Sequence, residues 1–114
     1  MNNFIFLMKK KGFLYLIRDE FTGYIKIGIS LNPTKRIKEL QTGNSNTLTL
    51  IYTIQTEYYI SLESTLHRHY KYLNITNEWF DLTITELNEI ESIIQKYIIA
   101  MKSLNDFDND FTIF

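Results

Sequence analysis

The sequence predicts an α+β fold: a small three-stranded antiparallel sheet flanked by helices, in the order β-β-α-β-α-α. Three observations carry that expectation. Two runs rich in aromatic and β-branched residues, FLYLI (13–17) and YIKIGIS (24–30), stand on either side of the polar, glycine-containing link RDEFTG. A third run of this kind, TLTLIYTIQT (47–56), alternates apolar and polar residues. Between and after the runs, apolar residues recur at three- and four-residue spacing, with residues that start and stop helices at their ends.

Taken in order, the first two runs read as an antiparallel hairpin. In the second, Ile25, Ile27 and Ile29 point one way and Tyr24, Lys26, Gly28 and Ser30 the other. LNPTKRIKELQTGN then has Asn32 as N-cap, Pro33 at the first helical position, Ile37 and Leu40 as the buried stripe and Gly43 as the stop. The segment 57–73 reads as a helix burying Tyr59, Leu62, Leu66, Tyr70 and Leu73, with Glu63 and His67 four apart beside that stripe. NEWFDLT (77–83) is a short extended piece that brings Trp79 and Phe80 to the core. A last helix opens with the capping box Thr83/Glu86 and buries Leu87, Ile90, Ile94, Ile98 and Met101. Residues 1–11 read as an N-terminal extension, 12–104 as one domain with its C-terminal helix, and 105–114 as an acidic, aromatic tail.

At 114 residues, 45% hydrophobic and 22% charged, the chain has globular values for one domain. With no cysteine it has neither disulfides nor thiolate zinc ligands, so a metal must be held by oxygen or histidine. FIFLM (4–8) is far shorter than a membrane span and its lysines follow it, so the reading is a soluble intracellular protein without membrane association. Net charge is −1, yet residues 1–73 carry ten Lys/Arg against five Asp/Glu, and residues 74–114 carry two against eight. A basic first part suits a polyanion; acids gathered on a solvated helix and tail account for the split equally well.

Four polar residues occupy or border positions that the pattern makes semi-buried: Tyr15, Lys26, Arg36 and Glu63. Singly, each has a plain reading: a core tyrosine, a lysine snorkelling from a strand edge, and charges on helix surfaces. Over roughly Gly12 to Leu82 the chain resembles the GIY-YIG nucleases. GFLYLI is similar to the first signature, with Tyr15 at its tyrosine. YIKIG is similar to the second, with Lys26 at the tyrosine and Gly28 at the glycine. Arg36 follows Gly28 by eight residues, as that family's arginine does, and LESTLH resembles the helix of its metal-binding glutamate, here Glu63. NEWF resembles the close of a phage and large-virus branch whose second signature also reads KIG.

The resemblance implies a DNA endonuclease, encoded by a virus, phage or mobile element, that leaves 5′-phosphate and 3′-hydroxyl ends. It would act in the cytoplasm or nucleoid of the host cell. Tyr15 and Lys26 would activate water, with Lys26 lowering the phenol's pKa or relaying the proton. Arg36 would meet the extra charge of the transition state, and Glu63 would hold Mg²⁺ or Mn²⁺. Members often have a histidine near the positions of Ile29 or Leu40; His67 stands in for it or simply packs. A zinc site of Glu63, His67 and His69 is another reading.

Lys35, Lys38, Arg68 and Lys71, with Lys9 to Lys11, are the candidate phosphate contacts. No base-reading module is evident, so a structured substrate, a homodimer or a partner protein would supply specificity. The tail would either fold over the basic face, with its aspartates imitating phosphates and Phe107, Phe111 and Phe114 as anchors, or serve as a frayed or partner-docking end. Two other classes stay open: a catalytically silent nucleic-acid-binding module of the same fold, and a regulatory protein-binding domain.

Overall fold

The computed structural model of the chain describes residues 10–112, with side chains from 10 to 106. Most of the expected extension, with Phe4 to Met8 and Lys9, lies outside the described residues, as do the side chains of Phe107 and Phe111 and all of Phe114. The chain forms two units, Met1–Leu82 and Thr83–Phe114.

In the first unit the elements are β1 (Gly12–Asp19), β2 (Ile25–Ser30), α1 (Pro33–Thr42), β3 (Leu48–Thr56), α2 (Tyr59–His69), a single 3-10 turn (Lys71–Leu73), β4 (Asn74–Thr76) and β5 (Trp79–Phe80). The sheet has five antiparallel strands in the order β3-β1-β2-β5-β4. This corrects the expectation of three. Strands of three and two residues are too short to leave a period-two signature, and β5 gains its place only by pairing Ile25 with Phe80 and Lys26 with Trp79. Asn77, at φ 48°, makes the tight turn that aligns β4 with β5.

The β1–β2 connection is built around Asp19. Its Oδ1 accepts from the backbone N–H groups of Phe21 and Thr22 at 2.9 and 3.1 Å, and Oδ2 accepts from Asn46 Nδ2 at 3.0 Å. Gly23, at φ 76°, closes the turn by donating to the Asp19 carbonyl. In α1, Asn32 caps as expected, its Oδ1 accepting from Lys35 N at 3.1 Å, with Pro33 in the first turn.

Register assigns the faces of the sheet. Tyr15 lies opposite Gly28 and Ile17 opposite Lys26, so these four share one face; Leu14 and Leu16 share the other with Ile27 and Ile29. The first face carries Tyr15, Ile17 and Leu48, with Leu50, Trp79, Ile37 and Leu40 packed on them. Strand β3 alternates less cleanly than its sequence predicts. A bulge at Ile51 makes Leu16 face Tyr52 and Ile17 face Leu50. That extra residue lets Leu48 and Leu50 join the Tyr15 face while Tyr52 and Ile54 join the opposite one. On that opposite face, α2 buries Leu62 and Leu66, and Tyr70 just past its end is buried too, part of the stripe expected from spacing.

The second unit is the helix α3 (Ile84–Thr112). Thr83 and Glu86 form the expected capping box, Glu86 Oε1 accepting from Thr83 N and Oγ1 at 2.8 Å each. Ile90 and Ile94 are buried, and Leu87, Ile98 and Met101 half-buried. The helix runs to Thr112, through most of the stretch expected to be a separate tail. NDFDNDFT contains neither glycine nor proline, so nothing in it forces a stop.

A candidate active site at the open edge of strand β2

The site grows from the point where β5 ends. Strand β5 covers the outer edge of β2 only at Ile25 and Lys26. At the next residue, Ile27 N–H donates to the Glu78 carbonyl at 3.0 Å. The Ile27 carbonyl accepts from His67 Nε2 at 2.8 Å. A side chain of α2 thus takes over where the sheet ladder stops, satisfying a backbone acceptor that would otherwise be orphaned. Because a carbonyl only accepts, Nε2 carries the hydrogen, and the lone pair of the neutral ring sits on Nδ1. The ring also packs on Phe80, centroids 5.0 Å apart.

Tyr15 reaches this edge across Gly28. A Cβ placed on Gly28 would collide with the Tyr15 hydroxyl and Cζ, so glycine is what lets the phenol lie flat over β2. Tyr15 is 1% exposed. Burial pushes its pKa above the usual tyrosine value, opposed by a hydrogen bond and charge from Arg36 and reinforced by the charges of Glu78 and Glu63. Replacing Gly28 by alanine is expected to displace that ring, destabilising the fold by about 1–3 kcal/mol and removing whatever activity depends on Tyr15. Urea melts and an activity assay of Gly28→Ala check this; a chain as stable and active as the parent would show that the ring has room to move.

Lys26, 7% exposed, is held differently from the expectation. Its Nζ donates to Glu78 Oε2 at 2.7 Å and lies 5.6 Å from the centre of the Trp79 ring. The cation acting on the Tyr15 phenol is Arg36, from α1, and Lys26 is committed to Glu78. The reason is register: Lys26 faces Ile17 and Trp79, whereas Tyr15 faces Gly28.

Glu63, on α2, meets Glu78 side chain to side chain, and its Oε2 is buried without a hydrogen-bond donor among the described residues. Burial and then the Glu78 charge raise its pKa; Glu78, tied to Lys26, is lowered despite its own burial. One ligand atom from each of Glu63, His67 and Glu78 lies within 4.8 Å of the others. Glu78 is the site residue that sequence reasoning missed. It stands in the NEWF motif, beside the more conspicuous Trp79 and Phe80, and its partner Lys26 is 52 residues away. His69, expected beside Glu63 and His67 in a zinc set, is not in this group; it is exposed and edge-on to Tyr70 at 4.7 Å.

The four candidate phosphate contacts are all exposed. They come from different elements: Lys35 and Lys38 ride on α1, Arg68 lies in the last turn of α2, and Lys71 opens the 3-10 turn. Lys10 and Lys11 are exposed beside β1.

The first unit is thus a small antiparallel sheet with helices packed on it, and a tyrosine, an arginine, a lysine and two glutamates gather at one strand edge, an arrangement consistent with a nuclease-like or DNA-binding module. Residues 12–97 match the T5orf172 domain, and the chain belongs to that family. The family is phage-associated and related to nuclease and homing-endonuclease-like folds. No curated protein and no solved structure matches the chain. Among the described residues, no helix is long and apolar enough to cross a membrane.

Proposed function

We propose that the protein is a metal-dependent endonuclease of the GIY-YIG type, which hydrolyses phosphodiester bonds in DNA to 5′-phosphate and 3′-hydroxyl ends. The observation that carries this reading is the gathering of Tyr15, Arg36, Lys26 and Glu63 at one open strand edge, with a buried Glu63 oxygen that has no donor among the described residues. A domain that only bound nucleic acid would gain nothing from carboxylates beside the phosphate.

The residues present fit a divalent cation. Glu63, a hard oxygen donor facing a second carboxylate, is the residue to hold Mg²⁺ or Mn²⁺, with Glu78 and His67 beside it. Such an ion supplies charge stabilisation for the leaving oxygen.

The chain's own groups do the rest. Arg36 donates to the phenol oxygen of Tyr15 and offers its remaining N–H groups to the phosphate, where its planar fork suits oxygens carrying extra negative charge in the transition state. The small phenolate fraction of Tyr15, favoured by Arg36 against its burial, is the base: it accepts the attacking water's proton and becomes the neutral phenol. Lys26, fixed by Glu78 and Trp79, adds positive charge to the edge that the phosphate would meet. Lys35, Lys38, Arg68 and Lys71 contact flanking phosphates, so affinity falls as salt rises.

The chemistry of the ends tests the reading. Nicks made by the protein are expected to be sealed by DNA ligase without prior kinase or phosphatase treatment. Nicks that ligase seals only after such treatment would point to a different hydrolytic route.

A further inference from the structure

Resting on the metal-dependent reading above, we infer that Glu63, His67 and Glu78 form a single three-ligand cation site that takes Mn²⁺ in preference to Mg²⁺. Four observations support it. First, the three ligand atoms lie within 4.8 Å of one another. Ligands bonded at about 2.1 Å to one octahedral ion stand about 3 Å apart when adjacent and about 4.2 Å when opposite, so the set closes on an ion by small side-chain movements.

Second, the charges are unbalanced. Two carboxylates touch each other, and among the described residues the ion pair made with them is that of Lys26 with Glu78. Lys26 occupies Oε2 of Glu78, leaving that carboxylate a second oxygen for a cation. Third, Oε2 of Glu63 is buried with no donor among the described residues, a position that a cation satisfies.

The fourth concerns His67 and decides which ion. Its Nε2–H is donated to the Ile27 carbonyl, the arrangement by which metal-bound histidines fix their tautomer and orient the other nitrogen. The imidazole is therefore set to offer Nδ1 as a lone-pair donor. Imidazole nitrogen is a poor partner for Mg²⁺, which keeps oxygen ligands and water. It gains affinity along the series of divalent metals that begins at Mn²⁺. One nitrogen and two carboxylate oxygens from two different elements, α2 and the β4–β5 turn, make a discriminating site where Glu63 alone makes a permissive one.

The test is direct metal binding by the full chain, without DNA. Calorimetric titration is expected to give Mn²⁺ at least about tenfold tighter than Mg²⁺. His67→Gln, whose amide still donates to Ile27, should weaken Mn²⁺ about tenfold or more and Mg²⁺ by less than about threefold. Glu78→Gln should weaken both ions. Pulsed electron paramagnetic resonance of the Mn²⁺-loaded parent, which depends on no variant, should show a nitrogen coupling. Equal affinities for the two ions, or no nitrogen coupling, would overturn the inference. Nicking that needs Glu63 while His67→Gln and Glu78→Gln bind Mn²⁺ like the parent also overturns it, and leaves the nuclease reading standing. Mn²⁺ bound through all three residues by a chain that cuts no DNA supports the site and defeats the nuclease reading.

Discussion

Exchanging Glu63 for glutamine is expected to abolish metal-dependent nicking, by about 1,000-fold or more, while raising the melting temperature measured at neutral pH without divalent cation. The rate loss has the size of removing a transition-state stabiliser from a water-poor site. The stability gain follows from the ionisation of Glu63. Its carboxyl is raised above the ordinary value of 4.5, first by burial and then by Glu78. Between the ordinary and the raised value, the folded chain holds a proton that the unfolded chain has released. Stability therefore falls as pH rises through that window, and the full penalty is present above it. Glutamine carries no charge and can donate its amide to Glu78, so the variant escapes the penalty. Its advantage should vanish below about pH 4, where Glu63 is protonated in both states. Added Mn²⁺ should stabilise the parent and leave the variant unmoved, because only the folded parent binds it. Thermal melts at two pH values with and without Mn²⁺ give the answer; a variant less stable than the parent at neutral pH in metal-free buffer would contradict this account of the carboxylate pair.

Tyr15→Phe removes one oxygen and is expected to cost about 100- to 10,000-fold in rate with the fold kept. The ring still lies over Gly28, so packing is retained. Because burial raises the Tyr15 pKa above its usual value of 10.0, the phenolate is scarce at neutral pH and grows about tenfold for each pH unit gained. Nicking by the parent should accordingly climb from pH 7 to pH 9 at close to that slope, and the slope should be lost in Tyr15→Phe. A variant that cuts at the parent's rate, or with the parent's pH profile, would remove Tyr15 from the chemistry.

Local rules made much of the fold legible. Asn32, Pro33, Thr83 and Glu86 announced two helix starts, and the spacing of Leu62, Leu66 and Tyr70 announced the buried face of α2. The alternation of YIKIGIS placed Lys26 and Gly28 on one face of β2. What escaped depended on distant pairing. Strands β4 and β5 exist because β5 docks on Ile25 and Lys26, and the Ile51 bulge exists because β3 must serve both faces of β1.

The candidate site divides the same way. Residue types and order pointed to Tyr15, Arg36 and Glu63, and the structure brings these together. Which cation would act on the phenol was not legible, because it turns on one residue of register between β1 and β2. Glu78 was invisible to period and propensity alike, since it lies in a two-residue turn and its meaning comes from Lys26 and Glu63. His67 was named for its place one turn after Glu63, but its hydrogen bond to the β2 edge could not be read from a helix pattern.

Metal-dependent cleavage is tested most directly by incubating the purified chain with supercoiled plasmid and with branched DNA in Mn²⁺, Mg²⁺ and EDTA, beside Glu63→Gln and Tyr15→Phe. Nicking is expected to require a divalent cation, to be fastest in Mn²⁺, and to be lost in both variants. Intact DNA under every condition, with salt-sensitive binding that ignores the metal and both substitutions, would contradict it and leave a nucleic-acid-binding module.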